Sequence, residues 1–462
     1  MIARLFLPAG ESRVAQILDR VLGLAEAEVE RLATELTAEF GNRHPDYERL
    51  LGRHAEAVLA QIGARAGLTP ARRLVLGAAF TAEYATEAAA LCNPSAMTHP
   101  DQSGLAPGQV RVAVSVRGIG EGHISSIGFV SAVIGPGPSW SFEPRGLPLS
   151  AGVAAPARWR REHLRSLLDD QGIIDELGET ILGGLPDLFG GADLERALAE
   201  IGPSVLDRSA PTVVLLRLLV SSAYMVEFGD ETGLTQRVLM PSATEEAHGM
   251  EDARFTRFTD AAGRIEYRAT YTAYDGRRIA PRLLISADLR TFRTHRLAGD
   301  AARNKGMALF PRLVGGRHLA LCRSDGENTG VSSSADGMVW NEPVIVQGPR
   351  ESWELMQIGN CGPPIETERG WLVLTHGVGP MRVYRMGAIL LDLDDPTRLL
   401  ARLERPLLAP VPADRNGYVP NVVYSCGAFP YEGRLWLPFG IADTRIGVAW
   451  LSIDETLDAM VP

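Results

Sequence analysis

Apolar residues recur at three- and four-residue spacing from Val14 to Phe40, through Ile17, Leu18, Val21, Leu22, Val29, Leu32 and Leu36, with Glu and Arg between them. That spacing predicts amphipathic helix. The pattern resumes over Tyr47 to Ile62 and, after Thr69-Pro70, over Ala71 to Leu91, so residues 1–91 are expected to form an N-terminal helical extension. From Gln109 the chain changes to β-prone runs such as VRVAVSVRG and SSIGFVSAVIG, closed by the turn-rich GPGPS. A second helical block, about residues 157–205, carries WRREHLRSLLDD and LERALAEI and is expected to be an insertion in the sheet region.

After Tyr224 the pattern is short strands and turns, and one recurrence stands out. Ser286-Ala-Asp288 followed by Phe292 returns 48 residues later as Ser334-Ala-Asp336 followed by Trp340. Similar strand-then-acidic-turn endings at Asp394-Asp395 and Asp454 give a loose spacing of about 50–60 residues, close to the blade length of a β-propeller. The expected fold is therefore mainly β, a propeller over residues 92–462 with a helical layer before it and a helical insertion within it. A propeller gathers loops from every blade around one cavity, so its site residues are scattered along the sequence.

The chain has 462 residues, more than a single core supports without additions. A net charge of −10 argues against a broad nucleic-acid or anionic-membrane surface but leaves room for a local anion pocket. The four cysteines, Cys92, Cys322, Cys361 and Cys426, are far apart without a CxxC pair, which predicts reduced, buried thiols rather than a zinc site. The start MIARLFLPAGESR lacks a signal h-region, and Arg217 interrupts the apolar stretch from Val213 to Val226, so a cytoplasmic protein without a spanning helix is expected.

No GxSxG elbow, Walker loop, HExxH or dinucleotide fingerprint is present. Polar, Gly-rich clusters take their place: NPSAMTHPDQ, HGMEDARF, NKGMALFPR, QIGNCGPPIET, THGVGPMRVYRMGA, NVVYSCGAF and FGIADTRIG. In HGMEDARF, Glu251 and Asp252 are adjacent acids, and strand alternation lets at most one of them face a cavity while the other pairs with an arginine. Lys305, Arg323 and His376 are basic residues in three successive strand-turn segments. They would bind an anion if the segments converge, and are unrelated surface or core residues if not.

Together these clusters, with Tyr384 and the run GAILLDLDDP, resemble glycoside hydrolase family 130 over about Asn93 to Asp454. The resemblance implies a five-bladed β-propeller and an inverting β-mannoside phosphorylase, which cleaves a β-linked manno-oligosaccharide with inorganic phosphate as co-substrate to give α-mannose 1-phosphate. It implies no metal and no organic cofactor. Asp252 would be the catalytic acid, protonating the departing oxygen through a hydroxyl of the sugar while phosphate attacks from the opposite face. Asn93, Arg117, Arg254, Tyr384 and Asp443 would hold substrate, and Lys305, Arg323 and His376 would bind phosphate.

Two departures bear on this. Gly306 stands where many phosphorylases have Asp, and Gln357 stands where a further phosphate-binding Lys is common. Hydrolytic members lose the basic residues and use glutamates to activate water, and Glu327 and Glu354 lie near the relevant loops. An inverting β-mannosidase is therefore the alternative, and a non-catalytic carbohydrate-binding propeller a second one. The helical additions suit a packing layer, a homo-oligomer interface or a lid, and their sequence does not choose.

Overall fold

The computed structural model describes residues 1–8, 10–63, 67–172, 174, 176–202 and 209–462. The expected end of the helical insertion, at 205, lies outside the described residues. The chain forms two compact units, Met1–Thr86 with Gly146–Ala151, and Glu87–Arg145 with Gly152–Pro462.

The first unit is built from helices Glu11–Leu22, Glu26–Phe40, Tyr47–Gln61 and Pro70–Ala79. Val14, Leu18, Val29, Ala55, Val58, Leu76 and Phe80 form its core. The stretch Val14 to Phe40 is two helices rather than one, because the first ends at Gly23, whose N–H bonds Asp19 O. Thr69 caps the last helix, accepting from the Arg72 N–H at 3.3 Å ahead of Pro70 at the first helical turn. Gly77 lets that helix touch its neighbour, since a Cβ there would lie 2.0 Å from Leu51 O.

Helix does not continue to Leu91. Thr81–Tyr84 is a strand that pairs antiparallel with Ile2–Leu5, and Ala90–Thr98 begins the sheet of the second unit. The Ala-rich sequence has helical propensity, but propensity is a weak bias and strand partners override it here.

The second unit is mainly β with helices. Its largest sheet has eleven strands, and runs Ala90–Thr98, Val110–Ile119, Ser125–Ile134, Gly249–Thr259, Ile265–Tyr274, Ile279–Ser286, Thr291–Arg296, Tyr224–Glu227, Val153–Pro156 along its main path. The third and fourth of these meet through one parallel pair, Ser125 with Gly249. Smaller sheets follow around His318–Cys322 with Thr329–Ser334, around Gly370–Gly379 with Val383–Leu391, and around Arg434–Ile441 with Arg445–Ser452. The sequence recurrence marks one turn used twice. Asp288 Oδ1 accepts from the Arg290 and Thr291 N–H groups, and Asp336 Oδ1 from those of Met338 and Val339, while Phe292 and Trp340 are buried just beyond.

Helices Arg161–Asp170, Glu176–Gly184, Gly191–Ala199 and Ala210–Ser222 share a core with Trp159, Leu167, Ile181 and Leu216. The apolar stretch ending at Val226 is a helix with one buried face, through Val213, Leu216, Leu219 and Val220, followed by the strand Tyr224–Glu227. Among the described residues no helix is long and apolar enough to cross a membrane. All four cysteines are free and buried.

Before the strand Gly249–Thr259 the chain is pinned by Glu246, which is fully buried. Its carboxylate accepts from Tyr224 OH at 2.7 Å, Tyr271 OH at 2.6 Å and the Ser242 and Ala243 N–H groups at 2.9 and 3.1 Å, with Arg282 Nε at 3.5 Å. A buried charge this well satisfied holds its surroundings in one arrangement.

Candidate active site

A cavity of about 270 Å³ opens in the second unit, and all nine residues singled out above line it. Asn93 and Arg117 come from adjacent strands, Asp252 and Arg254 from Gly249–Thr259, His376 and Tyr384 from a hairpin. Lys305, Arg323 and Asp443 come from the ends of strands or the loops between them.

Asp252 is reached by two donors on one oxygen: Asn93 Nδ2 at 2.5 Å and Arg117 Nη1 at 3.0 Å both bond Oδ1. Among the described residues Oδ2 accepts no bond, which leaves it for a ligand. Glu251 does not point away as regular alternation requires. It accepts from Arg117 Nη2 at 2.6 Å and from Lys305 Nζ at 2.5 Å. The reason is a bulge between Glu251 and Arg254, where Asp252 takes φ 57°. The extra residue turns both carboxylates toward Arg117.

Asn93, in a second bulge between Cys92 and Ser95, has φ 52°, and Asp443 has φ 53°. Left-handed backbone at non-glycine residues costs about 1–3 kcal/mol each and persists where the surroundings over-determine it. Here Arg254 supplies part of that support: it donates to Asp252 O at 2.9 Å, Cys361 O at 2.8 Å and Tyr424 OH at 2.9 Å.

Burial alone would raise the Asp252 pKa, but Arg117, Arg254 and Lys305, with the Asn93 hydrogen bond, outweigh it and hold the carboxyl at about 2. Asp443 moves the other way. Burial and the charge of Asp252 raise it to about 6, against the pull of Arg117. His376 is 3% exposed, and burial, then Arg323 and Arg254, push its pKa well below the usual imidazole range. It is thus a neutral group rather than the third cation expected from the sequence. Its ring stacks on Tyr384 at 6.0 Å and meets Tyr424 edge-on at 4.9 Å, and Nε2 lies 3.4 Å from Arg323 Nη1.

Gly306 carries φ 104°, a conformation that the Asp of many phosphorylases would not adopt readily, and its carbonyl accepts from Asn360 Nδ2 at 2.8 Å. Gln357 lines the cavity, as expected from its place before the Gly-rich run. Glu327 and Glu354 are not among the lining residues: Glu327 is exposed, and Glu354 is buried with its carboxylate accepting the Arg350 and Glu351 N–H groups at 2.8 and 3.0 Å. Six further lining residues were not singled out from the sequence, Gly359, Asn360, Arg382, Val419, Val422 and Tyr424, and two of them, Tyr424 and Arg382, bring polar chemistry of their own. Tyr424 lay within a cluster already picked out, NVVYSCGAF, whereas Arg382 follows Pro380-Met381 with nothing to separate it from a surface arginine.

Among the described residues the lining holds five cations, Arg117, Arg254, Lys305, Arg323 and Arg382, against two carboxylates, Asp252 and Asp443. Such a cavity, in a chain of net negative charge, suits an anion beside a polyhydroxylated ligand. The profile of glycoside hydrolase family 130, described as beta-1,4-mannooligosaccharide phosphorylase, matches residues 230–461, and the chain belongs to this family.

The beta-1,2-mannobiose phosphorylase of Thermoanaerobacter sp. (strain X514) is 37% identical over 218 residues, 46% of this chain and 70% of its own length. A 1,2-beta-oligomannan phosphorylase of the same organism is 33% identical over 230 residues, 48% of this chain and 74% of its own. The solved beta-1,2-mannobiose phosphorylase from Listeria innocua, in complex with beta-1,2-mannobiose, aligns with 80% of this chain and 92% of its own at 21% identity and a TM-score of 0.47.

Proposed function

We propose that the protein is an inverting β-mannoside phosphorylase: inorganic phosphate displaces the leaving sugar from a β-linked mannoside to give α-mannose 1-phosphate. The observation that carries this is the excess of cations in the cavity that Asp252 also lines, its carboxylate held by Asn93 and Arg117. Phosphate requires positive donors, and a water nucleophile requires a general base. The two glutamates considered for that base lie outside the lining.

Asp252 is the acid, with Asn93, Arg117, Arg254, Tyr384 and Asp443 holding the sugar and Lys305, Arg323 and His376 the phosphate. At about 2 the Asp252 pKa describes an ionised group when the protein's own cations alone surround it. Phosphate changes this, because its negative charge offsets the same cations that keep Asp252 ionised and so raises the proton affinity of the carboxyl. The acid form is then produced in the complex that needs it. The proton passes to the glycosidic oxygen as the bond to the anomeric carbon breaks, a phosphate oxygen bonds that carbon from the opposite face, and the leaving sugar departs as an alcohol.

The sheets are read as blades of a five-bladed propeller, supported by family membership and by the repeated Ser286–Asp288 and Ser334–Asp336 turn. Four free, buried thiols suit a reducing, cytoplasmic setting. The test is to supply β-1,2-, β-1,3- and β-1,4-linked manno-oligosaccharides with and without inorganic phosphate and to assay mannose and mannose 1-phosphate separately. Phosphate-dependent mannose 1-phosphate is expected. Free mannose released at the same rate without phosphate would refute the proposal.

A further inference from the structure

Most of the cations in the cavity are already engaged. Arg117 is bound to Glu251 and Asp252 and donates through Nε to Ser125 Oγ at 2.9 Å. Arg254 spends all three of its nitrogens on Cys361 O, Asp252 O and Tyr424 OH. Lys305 is ion-paired with Glu251. Two guanidinium groups remain. Among the described residues the Arg323 side chain has only the 3.4 Å contact with His376, and its Nε is buried without a partner. Arg382, also lining the cavity, has no hydrogen bond or ion pair to another side chain among the described residues.

Arg382 stands at the turn Pro380–Arg382 between the strands Gly370–Gly379 and Val383–Leu391. Both Met381 and Arg382 are left-handed, with φ 58° and 52°. The hairpin is anchored two residues on, where Tyr384 N–H bonds Asn421 O at 3.0 Å and the Tyr384 ring stacks on His376. The neutral Gln357 pairs with Val378 on the strand that leads into this turn, so Gln357 from a strand and Arg382 from the turn line the same cavity.

We propose that Arg382 is a phosphate-binding residue, which clamps the co-substrate from the hairpin tip together with Arg323 and supplies the positive charge that Gln357 does not. This rests on the phosphorolytic function proposed above. A phosphate with two negative charges calls for more than one charged donor, and a guanidinium offers two parallel N–H groups to its oxygens. Arg323 alone gives one such fork, and Arg382 gives the second without breaking an existing ion pair.

The experiment measures KM for phosphate and KM for the mannoside separately in the wild type, Arg382→Ala, Arg382→Lys and the double variant Arg382→Ala with Gln357→Lys. It adds calorimetric titration of inorganic phosphate into each protein without sugar. Arg382→Ala is expected to raise the phosphate KM and weaken phosphate binding about tenfold or more, with the mannoside KM changed less than about twofold. Arg382→Lys is expected to restore part of the loss, and so is the double variant, in which a cation enters from the neighbouring strand. Thermal unfolding should be unchanged, since Arg382 is exposed. An unchanged phosphate KM and affinity in Arg382→Ala would overturn the proposal, as would a rise in the mannoside KM alone, which would make Arg382 a sugar ligand. If the wild type turns over without phosphate, the phosphorolytic function itself fails and takes this proposal with it. That outcome is visible in the wild type alone.

Discussion

Asn93 Nδ2 donates to Asp252 Oδ1 at 2.5 Å, and both residues sit on left-handed backbone inside β-bulges of one sheet. Two irregular positions far apart in sequence are thus locked to each other at the point where the chemistry is proposed to occur. Strain on either side is tolerated because the partner defines where the side chain must be.

If Asp252 is the acid, Asp252→Asn keeps the shape of the site and removes its proton. Turnover is expected to fall about 10³-fold, within the usual range for a general acid, while mannoside binding by calorimetry stays within a few-fold. Turnover within about tenfold of wild type would remove Asp252 from the catalytic role.

Asn93 stabilises the ionised form of Asp252, so Asn93→Ala is expected to raise the Asp252 pKa from about 2. The folded pKa lies below the unfolded value of about 3.9. Asp252 therefore contributes stability that is present above pH 4 and lost as pH falls toward 2. In Asn93→Ala the loss should begin at higher pH and be smaller, which carboxyl-carbon NMR titration and acid unfolding both read.

Asp443 has the opposite sign. Its folded pKa, about 6, is above the unfolded value, so its contribution is fully present below about pH 4 and is lost as pH rises through 6. Asp443→Asn should remove this dependence and, relative to wild type, gain about 1–2 kcal/mol at pH 7.5 over its effect at pH 4, after allowance for partial exposure. The mannoside KM should rise as a sugar contact is lost. Urea unfolding at the two pH values, with steady-state kinetics, tests both.

Much of the site was legible because its residues stand in polar, Gly-rich clusters between strands, where backbone meets ligand more often than core. The nine candidates converge, although they span Asn93 to Asp443. What the sequence hid follows from geometry. One of the adjacent acids, Asp252, lines the cavity and the other, Glu251, pairs with an arginine, as strand alternation suggested, but the bulge that brings both to Arg117 was not legible. His376 reads as basic, but its burial and the neighbouring Arg323 and Arg254 keep it neutral. Helical propensity carried the reading of Ala71 onward to Leu91, and only pairing with Ile2–Leu5 reveals the strand Thr81–Tyr84.

Glu246, just before the strand that carries Asp252, is held by two tyrosine hydroxyls and lies beside Arg282. Glu246→Ala leaves the Tyr224 and Tyr271 hydroxyls and the Ser242 and Ala243 N–H groups without their acceptor, while Arg282 keeps Glu245, and is expected to cost about 3 kcal/mol in chemical denaturation. A cost below about 1 kcal/mol would show that the network is not a structural support.

The most direct measurement follows the wild-type reaction by phosphorus and proton NMR from its first minutes, with a β-linked mannobiose and inorganic phosphate. The phosphate signal is expected to fall as an α-mannose 1-phosphate signal rises, one for each glycosidic bond cleaved. An unchanged phosphate signal with free mannose accumulating would contradict phosphorolysis and turn the five-cation cavity into a site for something else.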